Sequence, residues 1–420
     1  MSKPAPPTLQ ILLFGAVASG LIYGYNAGVH GGVMLQIKGA FDLSDAQLGH
    51  LIAVFDYAEI VGVCLAPVAD RIGRRRVLMI CAAILSVAPF ILLLDPSFAV
   101  VFAERAITGC VAGLTFMMAL VFVAEIATPV RRATLLSSVM IGVSAGYVAE
   151  LGLSIAFVEG DGWRIVIMLA AVPALVQLVG LGGLPESPTF HQIRGDHEAA
   201  TGAAAHYGLT LEPLDPASHG RSWLGTVRAV LHDRHVMRNL LLGIVIVLAG
   251  TISGGALVSG YGPLLMTGFG IADTATVLEL MIVFTIAGFA VGFVALIPIH
   301  RGKTPLVLTG SLLVASFSLF ALFLADGVVA IALLGLLQLA FAFGIRTTVF
   351  QLLPSFLTDE IRVMGMAFYN LVFIFLAGTM NDVFPVLLER LAERTFLLFG
   401  AIALVLAVAS AFALRARAFK

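Results

Sequence analysis

Apolar runs of some twenty residues, separated by short polar clusters, recur along the whole chain. A run of about 20 apolar residues is what an α-helix needs to cross a bilayer. On that basis the sequence predicts spans near 10–31, 46–68, 77–95, 99–124, 134–157, 163–184, 239–267, 275–298, 304–325, 328–350, 363–386 and 395–415. One long polar stretch, Pro185 to Arg238, divides them six and six, and it holds helix-forming pieces at Gly195–Ala205 and Trp223–His232. Six spans, a linker and six spans is the order of a duplicated bundle. The expected architecture is an all-α membrane protein of twelve transmembrane helices in two pseudo-symmetric six-helix bundles. The N-terminal bundle covers 1–184, a cytoplasmic linker with short helices 185–238, and the C-terminal bundle 239–420.

Composition narrows the class. Hydrophobic residues make up 60% and charged residues 12%, against roughly a quarter charged in an ordinary soluble domain. That balance excludes a soluble enzyme, a nucleic-acid binder and a disordered scaffold. The net charge of −1 says little, but its distribution says more. Most Lys and Arg fall in the even-numbered connections and the termini, including Arg71, Arg74, Arg75, Arg76, Arg131, Arg132, Arg194, Arg301 and Lys303. The odd-numbered connections hold only Lys38, Arg164, Arg390 and Arg394. The positive-inside rule then places both termini and the linker in the cytoplasm of a plasma membrane, expected here to be a bacterial inner membrane. Cys64, Cys81 and Cys110 lie in apolar stretches and are read as small packing residues. The apolar start of the chain reads as a first span rather than a cleaved leader.

After the second span stands Ala69-Asp70-Arg71-Ile72-Gly73-Arg74-Arg75-Arg76. The arginines alone would serve as a topology anchor. Asp70 and Gly73 go beyond it, because a carboxylate at a helix end can pair with arginines and Gly permits a tight turn. A clamp that forms in one conformation and breaks in another follows. The segment resembles the signature loop of the major facilitator superfamily. Gly24-Tyr25-Asn26-Ala27-Gly28-Val29 resembles the first-span motif of its sugar-porter and organic-acid:proton symporter branch. Arg105, Gly109 and Gly113, then Glu125-Ile126-Ala127 with Arg131-Arg132, resemble its fourth-span pattern. Gly162-Trp163-Arg164, Pro185-Glu186-Ser187-Pro188 and His300-Arg301-Gly302-Lys303 follow in order. Glu360-Ile361-Arg362-Val363-Met364-Gly365, then Tyr369-Asn370, resembles the tenth-to-eleventh connection. The resemblance implies that Asp70, Arg71, Gly73, Arg74, Arg75, Glu125 and Arg132 form the conformational clamp.

Departures from that pattern bear on the substrate. The resemblance implies an Asp for the coupling proton where this chain has Asn26, and an amide cannot titrate. The glutamines and asparagine with which sugar porters bind hydroxyls are replaced by Met140, Gly250, Thr251 and Ala256.

Ionisable side chains inside spans cost several kcal/mol unless paired or hydrated, and each is therefore a functional candidate. Asp56 and Glu59 share a face of the second span, and two close carboxylates do not both ionise easily. Proton coupling is accordingly assigned to Asp56, Glu59 and Glu150 with Arg105, the alternative being static pairing with Arg105. A buried guanidinium left unpaired would be very costly, so Asp56, Glu59 or Glu150 is expected to contact it. Arg346 offers a planar fork for a substrate carboxylate, or else snorkels to the interface. Asn26, Tyr25, Tyr261, Tyr369 and Asn370 are the remaining substrate-site candidates. His30 is read as a relay, a metal ligand or a polar residue near the outer mouth. The Gly- and Ser-rich stretch from Thr251 through Pro263 is a candidate gating segment.

The expected function is secondary transport of a small organic anion by alternating access, coupled to protons. The alternatives are a metal or cation carrier using His30 and the carboxylates, a facilitator of a neutral solute such as a sugar, and a sensor on a transporter fold. No phosphate-cradling loop, nucleophile–base pair or Cys-x-x-C site is present, so no enzyme activity, metal or cofactor is expected. The expected partners are a small-molecule substrate, protons and the lipid bilayer, with no nucleic acid and a monomeric state.

Overall fold

The computed structural model describes residues 11–94, 97–211, 234–357 and 362–418. The helix expected over Trp223–His232, and Glu360 with Ile361, lie outside the described residues. Regular secondary structure among the described residues is entirely helical. The first span is Ile11–Val17, wound as a π-helix, continuing as Ala18–Gly32. Among the described residues, eleven further helical stretches are long and apolar enough to cross a membrane. Spans two to six are Asp45–Ile72, Arg74–Leu93, Phe98–Ile126, Pro129–Ala156 and Gly162–Gly182. Spans seven to twelve are Val236–Gly268, Thr274–His300, Thr304–Leu322, Gly327–Val349, Met364–Leu391 and Arg394–Arg415. The outward faces are apolar, with Val179 78% and Phe412 72% exposed. In water such surfaces would drive association, whereas lipid tails solvate them without penalty.

The helices gather into two compact units. The first holds the described residues up to Val29 and from Val54 through the linker helices; the second holds His30–Ala53 and the described residues from Arg234 onward. In the first unit span one packs on five, two on four and three on six. In the second, seven packs on eleven, eight on ten and nine on twelve. The same pairing scheme in both units is the three-dimensional form of a six-helix duplication. Small residues allow the first and fifth spans to interlock. A Cβ on Gly24 would lie 1.9 Å from the Val143 carbonyl oxygen, and one on Gly146 would lie 2.3 Å from that of Leu21. Packing between membrane helices relies on such close approach, because lipid offers no hydrophobic drive to bring helices together.

Several spans are interrupted among the described residues, three of them in ways that bear on the site. The third ends in a 3-10 turn over Ala88–Leu93, where Pro89 removes a backbone donor. The seventh breaks between Arg234–Thr251 and Gly255–Gly268, with Gly254 in the left-handed region at φ 84°. The tenth carries a π-helical turn, Phe341–Ile345, ahead of Arg346–Leu352. Two short linker helices, Pro188–Ile193 and His197–Tyr207, belong to the first unit.

Candidate functional site

The first unit encloses a cluster of carboxyl groups around one guanidinium. Arg105, on the fourth span, is fully buried. Its Nη2 donates to the Asn26 carbonyl oxygen at 3.0 Å, and its guanidinium carbon lies 4.5 Å from the centroid of the Phe55 ring. Nε and Nη1 are buried and make no hydrogen bond. Glu104, Asp56 and Glu150 act on this cation through space. The expected direct contact with Asp56, Glu59 or Glu150 is thus replaced by a backbone carbonyl and a ring face. Both are weaker partners, and they leave the side chain free to exchange them for a carboxylate.

Each carboxyl group has its own setting. Glu59, 6% exposed, accepts from the Tyr23 hydroxyl at 3.2 and 3.3 Å. Tyr23 itself is stacked on Phe116. Gly113 makes room for Glu59, because a Cβ there would lie 2.4 Å from its Cγ. Glu150 is fully buried, with Oε1 accepting from Ser154 at 2.9 Å and Oε2 unpartnered. Gly28 lies against it across the helix contact. Asp56 is half-buried, and its field reaches both Glu59 and Tyr23. Sequence reasoning missed Tyr23 and Glu104. Glu104 is fully buried with neither carboxyl oxygen hydrogen-bonded. The sequence did carry its signal, an acid inside a span next to a buried arginine.

The expected substrate residues are dispersed. Tyr25 donates to the Val166 carbonyl at 2.7 Å, Tyr369 to that of Leu240 at 3.2 Å, and Tyr261 to that of Asn381. These hydroxyls tie spans together in the present state. Asn26 donates back along its own helix to Ile22 at 2.9 Å, and Asn370 is half-buried. Arg346 is exposed, with its guanidinium carbon 5.0 Å from the Phe289 centroid. His30, 9% exposed, lines a small cavity with Leu48, Ile52 and Tyr261 in the second unit. No group of three or more His, Cys, Asp and Glu side chains among the described residues is placed to hold a metal. The second unit also buries Gln338, whose Nε2 donates to Ser259 at 3.1 Å while Oε1 is unpartnered. Ser253, in the break of the seventh span, has its buried hydroxyl unpartnered as well.

Around the Asp70–Arg75 loop the expected clamp residues build a network. Gly73 turns the chain at φ 107°, which an L side chain adopts only under strain. Arg74 binds Asp70 at 2.8 Å and Glu125 at 3.2 Å. Arg75 donates from Nε to the Leu181 carbonyl at 2.7 Å and from Nη2 to that of Gly182 at 3.0 Å. Glu186 joins the network, accepting from the backbone N–H of Arg75 at 2.9 Å and of Arg76 at 3.3 Å. Ser187 donates to Glu125, and Arg194 reaches the Arg71 carbonyl at 3.1 Å. Arg132 is exposed at the start of the fifth span and takes part in none of these bonds. In the linker, the buried Tyr207 hydroxyl donates to the Pro185 carbonyl at 2.6 Å. Burial there pushes its pKa above the usual phenol value.

The repeated helix pairing of the two units is that of the major facilitator fold, and the family that the chain matches makes it a multi-pass secondary transporter rather than an enzyme. The sequence model of the family "Sugar (and other) transporter" matches residues 12–416, and the chain belongs to that family. It is 25% identical to the probable metabolite transport protein CsbC of Bacillus subtilis (strain 168), over 94% of this chain and 89% of that one. It is 32% identical to the glucose transporter GlcP of Staphylococcus epidermidis, over 45% of this chain and 43% of that one. Among solved structures, the inward open xylose transporter XylE from E. coli superposes with a TM-score of 0.76 at 19% identity. That match covers 96% of this chain and 94% of the other. The last agreement is one of fold.

Proposed function

We propose that this protein is a proton-coupled carrier of a neutral polyhydroxylated solute, a sugar or polyol, working by alternating access from a bacterial inner membrane with both termini cytoplasmic. The carrying observation is the buried cluster in which Asp56 and Glu150 act on a single guanidinium, Arg105, with Glu59 buried beside Asp56. Acid groups outnumber the cation in a dry layer, so protons must enter and leave with any change in its geometry. Support for the cargo comes from relatives named as a glucose transporter, a D-xylose transporter and polyol transporters. The expectation of an organic anion is therefore replaced. The exposed position of Arg346 on the Phe289 ring agrees with that change. Gln338, Ser259 and Ser253 supply amide and hydroxyl groups of the kind that hold sugar hydroxyls, in place of the residues absent at Met140, Gly250, Thr251 and Ala256. The conformational clamp around Asp70, Arg74, Glu125 and Glu186 would hold one end of the first unit closed in this state.

Purified protein in liposomes, given an inward pH gradient and labelled D-xylose, D-glucose, inositol or lactate, tests this reading. Accumulation of at least one of the first three solutes, abolished by a protonophore, is expected. Accumulation of lactate alone would return the anion reading. Sugar entry that ignores the protonophore would make the protein a facilitator, the reading favoured by Asn26 at the expected proton position.

A further inference from the structure

Glu104 is the buried acid of this cluster to which the proposed function gives no role. It is completely removed from solvent, and both carboxyl oxygens are without a hydrogen-bond donor. The Thr108 hydroxyl, one turn along, donates to the Glu104 backbone carbonyl at 2.9 Å and is the one nearby donor that also bears on the Glu104 carboxyl group. Among the described residues Arg105 is the one charged side chain whose field reaches Glu104. Asp56 of the second span and Glu150 of the fifth bear in turn on Arg105. The third span, packed along the fourth, contributes the Cys81 thiol beside Thr115. An ionised carboxylate with no donor within hydrogen-bond distance in such a setting costs several kcal/mol, which favours the protonated acid.

The neighbouring guanidinium is incomplete in a complementary way. Nε and Nη1 of Arg105 lack acceptors while Nη2 is held by the Asn26 carbonyl of the first span. Residues 104 and 105 project about 100° apart around the helix, so Glu104 does not share the present contacts of Arg105 with Asn26 and Phe55. If Glu104 became an anion, the nearest compensation would be for Arg105 to leave the first span and turn towards it. With Glu104 neutral, Arg105 stays on Asn26 and Phe55. The two unsatisfied groups therefore form one switch, in which a proton on the fourth span decides whether Arg105 holds the first and second spans.

We propose that Glu104 is a proton-binding residue of the transport cycle, carrying a coupled proton in addition to that of the Glu59 and Glu150 cluster and controlling which helix Arg105 engages. On release the O–H bond of Glu104 breaks, its electron pair stays on the carboxylate, and the proton passes to water admitted in the open state. Arg105 remains a cation throughout. This rests on the proton-coupled reading above, and the experiment has one readout that depends on transport and one that does not.

Each coupled proton contributes about ten-fold accumulation per unit of pH gradient. Glu104→Gln, which mimics the protonated acid, is expected to lower the accumulation of labelled D-xylose or inositol in liposomes about ten-fold at a one-unit gradient. Equilibrium exchange of the same solute, which needs no net proton release, is expected to fall less than accumulation does. Glu104→Asp, still titratable, is expected to recover part of the accumulation. The independent readout is the infrared difference spectrum of reconstituted protein between acid and alkaline pH, recorded without substrate. The carboxyl C=O band should lose a component in Glu104→Gln and show it displaced in Glu104→Asp. Full accumulation by Glu104→Gln, or an unchanged infrared band, overturns the proposal. Absence of any pH-driven accumulation in the wild type would instead overturn the coupled-carrier reading, and the infrared band would still decide whether Glu104 titrates.

Discussion

At the scale of single residues, the first unit's dry layer is organised by donors that are few and placed with care. Glu59 has a single hydroxyl donor, Tyr23, which comes from the neighbouring span and is locked by stacking on Phe116. Removing that hydroxyl leaves a buried carboxyl group with the full desolvation cost and nothing in return. Tyr23→Phe is therefore expected to destabilise the protein in detergent by about 1–3 kcal/mol. In a Glu59→Gln background the same change should cost less, because a neutral amide has a smaller demand for that donor. A double-mutant cycle on thermal or denaturant unfolding measures the coupling, and additive costs would show that the contact carries no energy. Arg105 follows the opposite arrangement, with donors in excess of acceptors. That mismatch is what lets a change of charge on a neighbouring carboxyl group bear on its contacts.

At the scale of helices, the division into legible and hidden features has a physical cause. Hydropathy runs report a property of each segment alone, so the spans and the polar stretch between the sixth and the seventh could be read directly. The break in the seventh span was signalled by Ser253-Gly254-Gly255, since glycine and serine lower the cost of leaving the helix. Glu104 stayed hidden because burial on a helix depends on which neighbour each face meets, and Arg105 alone drew the reading. The π-helical turn in the tenth span left no mark in composition. Glu186 was seen as part of a motif, yet its role depends on a turn four spans away in sequence. Its carboxylate accepts from two backbone N–H groups at the start of the third span, where the helix dipole favours an anion. Glu186→Ala is expected to free that helix end at a cost of about 1–2 kcal/mol, with Glu186→Gln intermediate. Thermal unfolding of the detergent-solubilised variants gives the ranking, and equal stability of all three forms would sink the assignment.

At the scale of the whole chain, the grouping of His30–Ala53 with the second unit carries a consequence for the cycle. Sequence order would assign these residues to the N-terminal bundle, but their contacts are with the seventh and eleventh spans. His50 pairs with Asp382, and Gly49 sits so close that a Cβ would lie 2.8 Å from the Asp382 carbonyl oxygen. Leu48, 1% exposed, and Tyr261 line the small cavity beside His30. The positive-inside reading puts this end of the spans on the outer face. A carrier that exposes its site alternately must open such contacts in another state. The His50–Asp382 pair is partly solvated and therefore weak, contributing on the order of 1 kcal/mol or less. A latch of that size is suited to a closure that must reverse in every cycle. With Cys64, Cys81 and Cys110 replaced by alanine, a cysteine at Leu48 is expected to react slowly with a membrane-impermeant maleimide. Adding His50→Ala or Asp382→Asn should raise that rate by up to about five-fold, the population shift that 1 kcal/mol allows. An unchanged rate in both variants would mean that apolar packing around Leu48 and Ile52 holds this end closed, with the His50–Asp382 contact a bystander on its rim.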